Sequence, residues 1–173
     1  GIPMDEEGMD PDALELALRR EKNVRLIYTI PTFQNPMGVT MSFARRKRIY
    51  ELAVRYNVMI LEDSPYFELR YSGSYVPAIK TLDETGHVIY VGSFSKVISP
   101  GLRVGFLCTR SDLVSKLVVA KQGADVQTPL LTQMLVSSYL ERYDLDAHIE
   151  DCRALYKEKR DRMISRMEAC FPD

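Results

Sequence analysis

The stretch Ser93-Phe94-Ser95-Lys96-Val97-Ile98-Ser99-Pro100-Gly101-Leu102-Arg103-Val104-Gly105 sets one lysine between hydroxyl-bearing residues and follows it with an arginine. Just ahead of it, Val88-Ile89-Tyr90-Val91 is short, apolar and β-branched, the pattern of a buried strand. Lys96 therefore falls just past a strand's carboxyl end, and in open α/β sheets that end faces the ligand crevice. A lysine partly desolvated there loses its proton readily enough to form a Schiff base with a carbonyl. Ser93, Ser95 and Arg103 are placed to bind a phosphate beside it. Taken alone, Ser-x-Ser-Lys is a weak pattern, because most lysines after a strand are solvated turn residues. Other segments give it weight.

Upstream, Asp10-Pro11 supplies an N-cap and a first-turn proline, and Ala13, Leu14, Leu16, Ala17 and Leu18 follow, which predicts a helix ending near Asn23. Val24 to Ile30 reads as a strand, and Pro31 to Gly38 as a loop dense in helix breakers. Ser42 caps a second helix whose apolar face includes Phe43, Ile49, Leu52, Ala53 and Tyr56. Its basic run, Arg45 to Arg48, reads as a solvated face. Val58 to Leu61 is the second buried strand and ends at Glu62-Asp63-Ser64-Pro65-Tyr66. Val88 to Val91 is the third. Val104 to Thr109 makes a fourth, antiparallel to its neighbour because the connection is too short for a helical crossover. Helices follow over about 112–122, 130–142 and 145–170.

With 173 residues, 46% of them hydrophobic, the chain is long enough to bury a core as one globular unit. Its net charge of -1 lacks the basic excess expected of a nucleic-acid binder. No apolar run is long enough to span a bilayer and no signal-peptide pattern opens the chain, so neither nucleic acid nor membrane is expected as a partner, and the cytoplasm is the expected location. Cys108, Cys152 and Cys170 are widely spaced and odd in number, which argues against a disulfide framework or a metal site. Cys108 sits in an apolar strand pattern and reads as core. His87 and His148 read as surface or local hydrogen-bonding residues.

Alternating strands and helices with parallel connections imply an α/β fold, a three-layer, doubly wound, mostly parallel sheet. Three loops then converge at its carboxyl edge, at Asn35, at Asp63 to Tyr66 and at Ser93 to Lys96. A buried carboxylate at Asp63 can hold a positive charge on a heteroaromatic ring nitrogen, which makes the ring a better electron sink. Tyr66 and Asn35 can hydrogen-bond a ring hydroxylate. Singly, each residue has a plain structural reading: Asp63 caps a turn, Tyr66 is a half-buried surface aromatic, and Asn35 tolerates an unusual turn before Pro36. Their order along the chain favours the chemical reading.

These segments, Asn35-Pro36-x-Gly38, Asp63-x-x-Tyr66 and Ser93-x-Ser95-Lys96 with Arg103, resemble fold-type I pyridoxal-phosphate enzymes, specifically class I/II aminotransferases. Within that family the wording is similar to 2-aminoadipate/kynurenine-type and aromatic or branched-chain aminotransferases. The resemblance implies pyridoxal 5'-phosphate as cofactor and an amino acid and a 2-oxo acid as substrates. It implies that Lys96 carries the Schiff base and moves the substrate proton, and that Asp63 pairs with the pyridinium nitrogen. Asn35 and Tyr66 would contact the phenolic oxygen, and Ser93, Arg103 and, more weakly, Ser95 the phosphate. It also implies a homodimeric parent.

Members of that family are commonly more than twice this length. Their earlier cofactor-stacking segment has no match before Asn35, and their carboxyl-terminal small domain is expected to lie outside residues 1–173. Residues 1–173 are therefore expected to form the central part of the large domain, inactive alone as a transaminase. Arg153, Arg160, Arg162 and Arg166 read as helix-surface charges, not as stand-ins for the family's carboxylate-binding arginine. Two alternatives stay open. One is the aminotransferase-like domain of a transcriptional regulator, which generally carries another residue where Asn35 stands. The other is a fold-type I lyase or synthase working through the same lysine.

Overall fold

Caps and periodicity account for the first helices. In the computed structural model, which describes residues 1–171, a short antiparallel ribbon of β1 (Met4–Asp5) and β2 (Gly8–Met9) leads into α1 (Pro11–Arg20). Asp10 caps α1 as expected, its Oδ1 accepting from the amides of Asp12 at 2.8 Å and Ala13 at 3.2 Å. Leu14 and Leu18, four residues apart, are the side chains α1 buries. After strand β3 (Leu26–Thr29), Ser42 caps α2 (Phe43–Arg55), and α2 buries Ile49, Leu52 and Ala53. Phe43, expected on that face, is exposed.

Strands β4 (Met59–Asp63), β5 (Val88–Ser93) and β6 (Gly105–Cys108) complete a four-stranded sheet in the order β3-β4-β5-β6. The first three run parallel, and β6 pairs antiparallel with β5, as the short connection requires. The expected α/β class and mostly parallel sheet are therefore present. Register places Ile27, Ile60 and Val88 on one face, and against them α1, α2 and the 3₁₀ turn Ile79–Leu82 close the core. Ile49, Ile60, Ile79 and Val88 are fully buried, each worth about 2 kcal/mol in transfer from water. The opposite face carries Leu26, Tyr28, Leu61, Val91 and Leu107, with Leu26, Tyr28 and Leu107 exposed.

Three helices follow, α3 (Ser111–Asp125), α4 (Leu130–Arg142) and α5 (Leu145–Cys170), close to the expected bounds. Asp144 caps α5, Ile149 is its buried residue, and Arg153 Nε donates to the Glu68 carbonyl at 2.7 Å, tying its first turns to the 3₁₀ turn after β4. No helix among the described residues is long and apolar enough to cross a membrane.

Several expectations need correction. The expected alternation of strands and helices breaks between β4 and β5, which are linked by two 3₁₀ turns, Phe67–Leu69 and Ile79–Leu82. Cys108 is exposed, because β6 is an edge strand whose four residues all reach solvent. Arg46, read as part of a solvated basic run, is fully buried. Of the two carboxylates ending β4, Glu62 is the fully buried one; its oxygens accept from the amides of Ile79 and Lys80 at 2.8 Å each, while Asp63 is half-buried. Burial raises the Glu62 carboxyl, and the two amides pull against that rise.

Candidate active site

The parallel run of β3, β4 and β5 puts three loops at one sheet edge. Asp63 is the last residue of β4, and alternation places it on the same sheet face as Tyr28 of β3. The Tyr28 hydroxyl donates to Asp63 Oδ2 at 2.8 Å. Partial burial, followed by that bond to a carboxylate, pushes the Tyr28 phenol up to about 12. Tyr28 was not among the residues singled out from sequence. Its position two residues from the end of an alternating strand was visible, but the β3–β4 register that brings it to Asp63 was not.

Beyond β4 the chain turns through Ser64-Pro65 to Tyr66, which precedes a 3₁₀ turn. Lys96 lies in the turn after β5 with its Nζ 5.7 Å from the Tyr66 ring centroid, a cation–π approach. Lys96 is exposed, so the expected partial desolvation is not supplied by the described residues. Ser93 ends β5, and its Oγ accepts from the Ser95 amide at 3.1 Å, leaving its hydroxyl proton free to donate. Arg103 adopts a left-handed conformation, φ 55°, that folds it back toward this turn. Its Nη1 donates to Ser95 Oγ at 3.4 Å and to the Pro100 carbonyl at 3.2 Å. Ser93, Ser95 and Arg103 thus form one cluster beside Lys96.

The loop from Pro31 to Met41 carries Asn35, joined to Pro36 by a cis peptide bond. Asn35 is exposed and lines a cleft of about 490 Å³ together with Tyr66, Phe33, Tyr71 and Arg160. Arg160, expected to be a plain surface charge, has its guanidinium 5.0 Å from the Tyr71 ring centroid and also pairs with Asp161. On its other side Asn35 lines a smaller cavity of about 230 Å³ with Tyr28 and Thr29. The seven expected residues are therefore linked in sequence, Ser93–Ser95–Arg103 to Lys96, Lys96 to Tyr66, Tyr66 to Asn35, Asn35 through Tyr28 to Asp63. Direct hydrogen bonds within this set run only inside the Ser93–Ser95–Arg103 cluster.

The donor set has a definite chemistry. It holds one primary amine, one carboxylate engaged by a single phenol, an amide and a second phenol around a shared cleft, and two hydroxyls with a guanidinium for an anion. Those groups fit a phosphorylated, carbonyl-bearing heteroaromatic ring. Among the described residues no group of three or more His, Cys, Asp or Glu is arranged to hold a metal ion.

Comparison with known proteins agrees with this reading. Residues 3–172 match the model of the family described as aminotransferase class I and II. The chain is 47% identical to aromatic-amino-acid aminotransferase 1 of Thermococcus litoralis, with 99% of this chain and 42% of that protein covered. It is 42% identical to the 2-aminoadipate transaminase of Thermus thermophilus, covering 99% of this chain and 43% of the relative. The solved kynurenine aminotransferase of Pyrococcus horikoshii, in complex with PMP, superposes with a TM-score of 0.92 at 43% identity, covering 99% of this chain and 44% of that one. The chain thus spans less than half the length of these relatives. It belongs to the class I and II aminotransferase family.

Proposed function

We propose that this chain is the cofactor-anchoring part of the large domain of an aminotransferase, with Lys96 as the residue that holds pyridoxal 5'-phosphate. The observation that carries the reading is that the loops bearing Asn35, Asp63 to Tyr66 and Lys96 all lie at one edge of the parallel sheet, in a chain of this family. Pyridoxal phosphate, when bound, supplies an electrophilic carbonyl carbon and a ring that withdraws electrons. Lys96 Nζ would be the nucleophile toward that carbonyl and the base that takes and returns the proton at the substrate's α-carbon. Asp63 holds the ring nitrogen protonated, and Tyr28 fixes which carboxylate oxygen is left to do so. Asn35 and Tyr66 orient the ring through its phenolic oxygen. Ser93, Ser95 and Arg103 hold the phosphate, where a guanidinium gives a bidentate charged partner.

The substrates of the whole protein are then an amino acid and a 2-oxo acid, exchanged in ping-pong order. A homodimer acting in the cytoplasm, without nucleic-acid or membrane partners, completes the proposal. The exposed sheet face at Leu26, Tyr28 and Leu107 supports further chain packing there, and the three free cysteines suit a reducing compartment. The test is titration with pyridoxal phosphate, followed by borohydride reduction and peptide mapping. Stoichiometric labelling confined to Lys96 is the expected result. Labelling scattered over other lysines overturns the assignment.

A further inference from the structure

Arg46 sits on α2, fully buried, and all five of its guanidinium N–H groups are used. Nε donates to the Met41 carbonyl at 3.0 Å, and Nη2 donates to the Pro31 carbonyl and to Thr32 Oγ1, each at 2.8 Å. Nη1 donates to the carbonyls of Pro77 at 3.0 Å and Val76 at 3.3 Å. Its hydrogen-bond partners are backbone carbonyls and one hydroxyl, not a carboxylate, so the side chain is spent on geometry and not on an ion pair. Burial lowers its pKa to about 10, which still leaves it charged at neutral pH.

The acceptors on the Pro31–Met41 loop lie at its two ends, and Asn35 lies between them. The same neck is closed by the Met41 amide, which donates to the Pro31 carbonyl at 2.8 Å. Inside the loop, Gln34 N donates to the Val39 carbonyl at 2.9 Å, Met37 N to Gln34 Oε1 at 2.9 Å and Phe33 N to Thr40 Oγ1 at 3.3 Å. These bonds shape the tip but do not attach it to the rest of the fold. Arg46 supplies the buried attachment, since it grips both ends of the loop and the Val76–Pro77 segment at once; Arg70 adds an outer one, its Nη2 donating to Thr40 Oγ1 at 3.5 Å and its guanidinium lying 4.5 Å from the Phe33 ring centroid.

We propose that Arg46 is the positioning residue for Asn35, fixing the loop so that the Asn35 amide meets the cofactor's phenolic oxygen. This rests on the reading of Asn35 given above. A lysine at this position keeps the charge but cannot span five acceptors, so Arg46→Lys separates geometry from charge. Thr32→Val removes one acceptor only, and serves alone if Arg46→Lys does not fold.

The experiment uses the full-length protein with two readouts. In the cofactor-free form, hydrogen exchange at Gln34, Gly38 and Met41 is expected to quicken roughly tenfold in Arg46→Lys, the order of one lost charged hydrogen bond, while β4 exchanges as before. In the loaded form, the pH midpoint of the visible band is expected to rise, in the same direction as in Asn35→Ala, and the double variant to add little to either. Unchanged loop exchange overturns the proposal. So does a loosened loop with an unmoved midpoint, which would mark Arg46 as structural only. If Asn35→Ala itself leaves the midpoint unmoved, the reading of Asn35 fails and this proposal with it, although the loop exchange would still respond.

Discussion

The Tyr28 hydroxyl donates a 2.8 Å hydrogen bond to Asp63 Oδ2 across the β3–β4 pair. One carboxylate oxygen is thereby engaged from the neighbouring strand; under the proposed function the other is the one that faces the cofactor. Tyr28 is half exposed, so its ring adds little to the core, and Tyr28→Phe is expected to cost less than about 1 kcal/mol in stability. The larger effect is on orientation: cofactor affinity should drop several-fold. The phenol is raised from 10 to about 12 in the folded chain. Its stabilising contribution is therefore whole below pH 10 and is lost as pH rises from 10 toward 12. Thermal unfolding between pH 9 and 12, with Tyr28→Phe showing the shallower alkaline decline, checks this.

Lys96 is exposed and its recorded interaction is the long approach to the Tyr66 ring. Lys96→Ala is therefore expected to change stability by no more than about 0.5 kcal/mol. Borohydride-trapped labelling and turnover of the full-length protein should both disappear. Mass spectrometry and circular dichroism on the same sample read both outcomes. Retained turnover would refute the assignment.

Asp83 tests the acid limb away from the site. Burial raises its carboxyl, but the Lys80 ammonium at 2.8 Å and the amides of His87 and Val88 outweigh that, and the net shift is downward. A depressed carboxyl stabilises the fold above its unfolded value of 3.8, and the contribution disappears as pH falls below that through the folded value. Asp83→Asn should lose about 1–3 kcal/mol at pH 7. It should also unfold with a flatter pH dependence below pH 4, as followed by urea midpoints.

Much of this arrangement was legible in the sequence because its signals are local. Asp10 and Ser42 cap helices through their own side chains, β-branched runs mark the strands, and the motif residues fall where strands end. What escaped notice depends on register and on partners distant along the chain. Arg46 looks like its neighbours Arg45, Lys47 and Arg48, and it is the Pro31–Met41 loop together with the return of Val76 and Pro77 past α2 that makes it an interior residue. Glu62 and Asp63 are adjacent, and strand alternation sends one inward to the amides of Ile79 and Lys80 and the other toward Tyr28. Cys108 reads as core by composition, yet β6 has no strand beyond it among the described residues.

The pairing of β5 with β6 holds the Lys96 turn, and two glycines separate its backbone from its side-chain requirements. Gly105 is opposite Ser93, and a Cβ on it would stand 2.9 Å from the Gly92 carbonyl oxygen. That neighbour is backbone of the adjacent strand and yields only if β6 moves away. Gly105→Ala should therefore cost about 1–3 kcal/mol and loosen Ser93 and the turn behind it. Gly101 is the contrast, since a Cβ there meets nothing nearer than Ser99 Oγ at 3.8 Å. Gly101→Ala should stay within about 0.5 kcal/mol of the parent. Urea unfolding of the two variants side by side decides the point: equal losses would mean that the β5–β6 approach does not constrain the Lys96 turn.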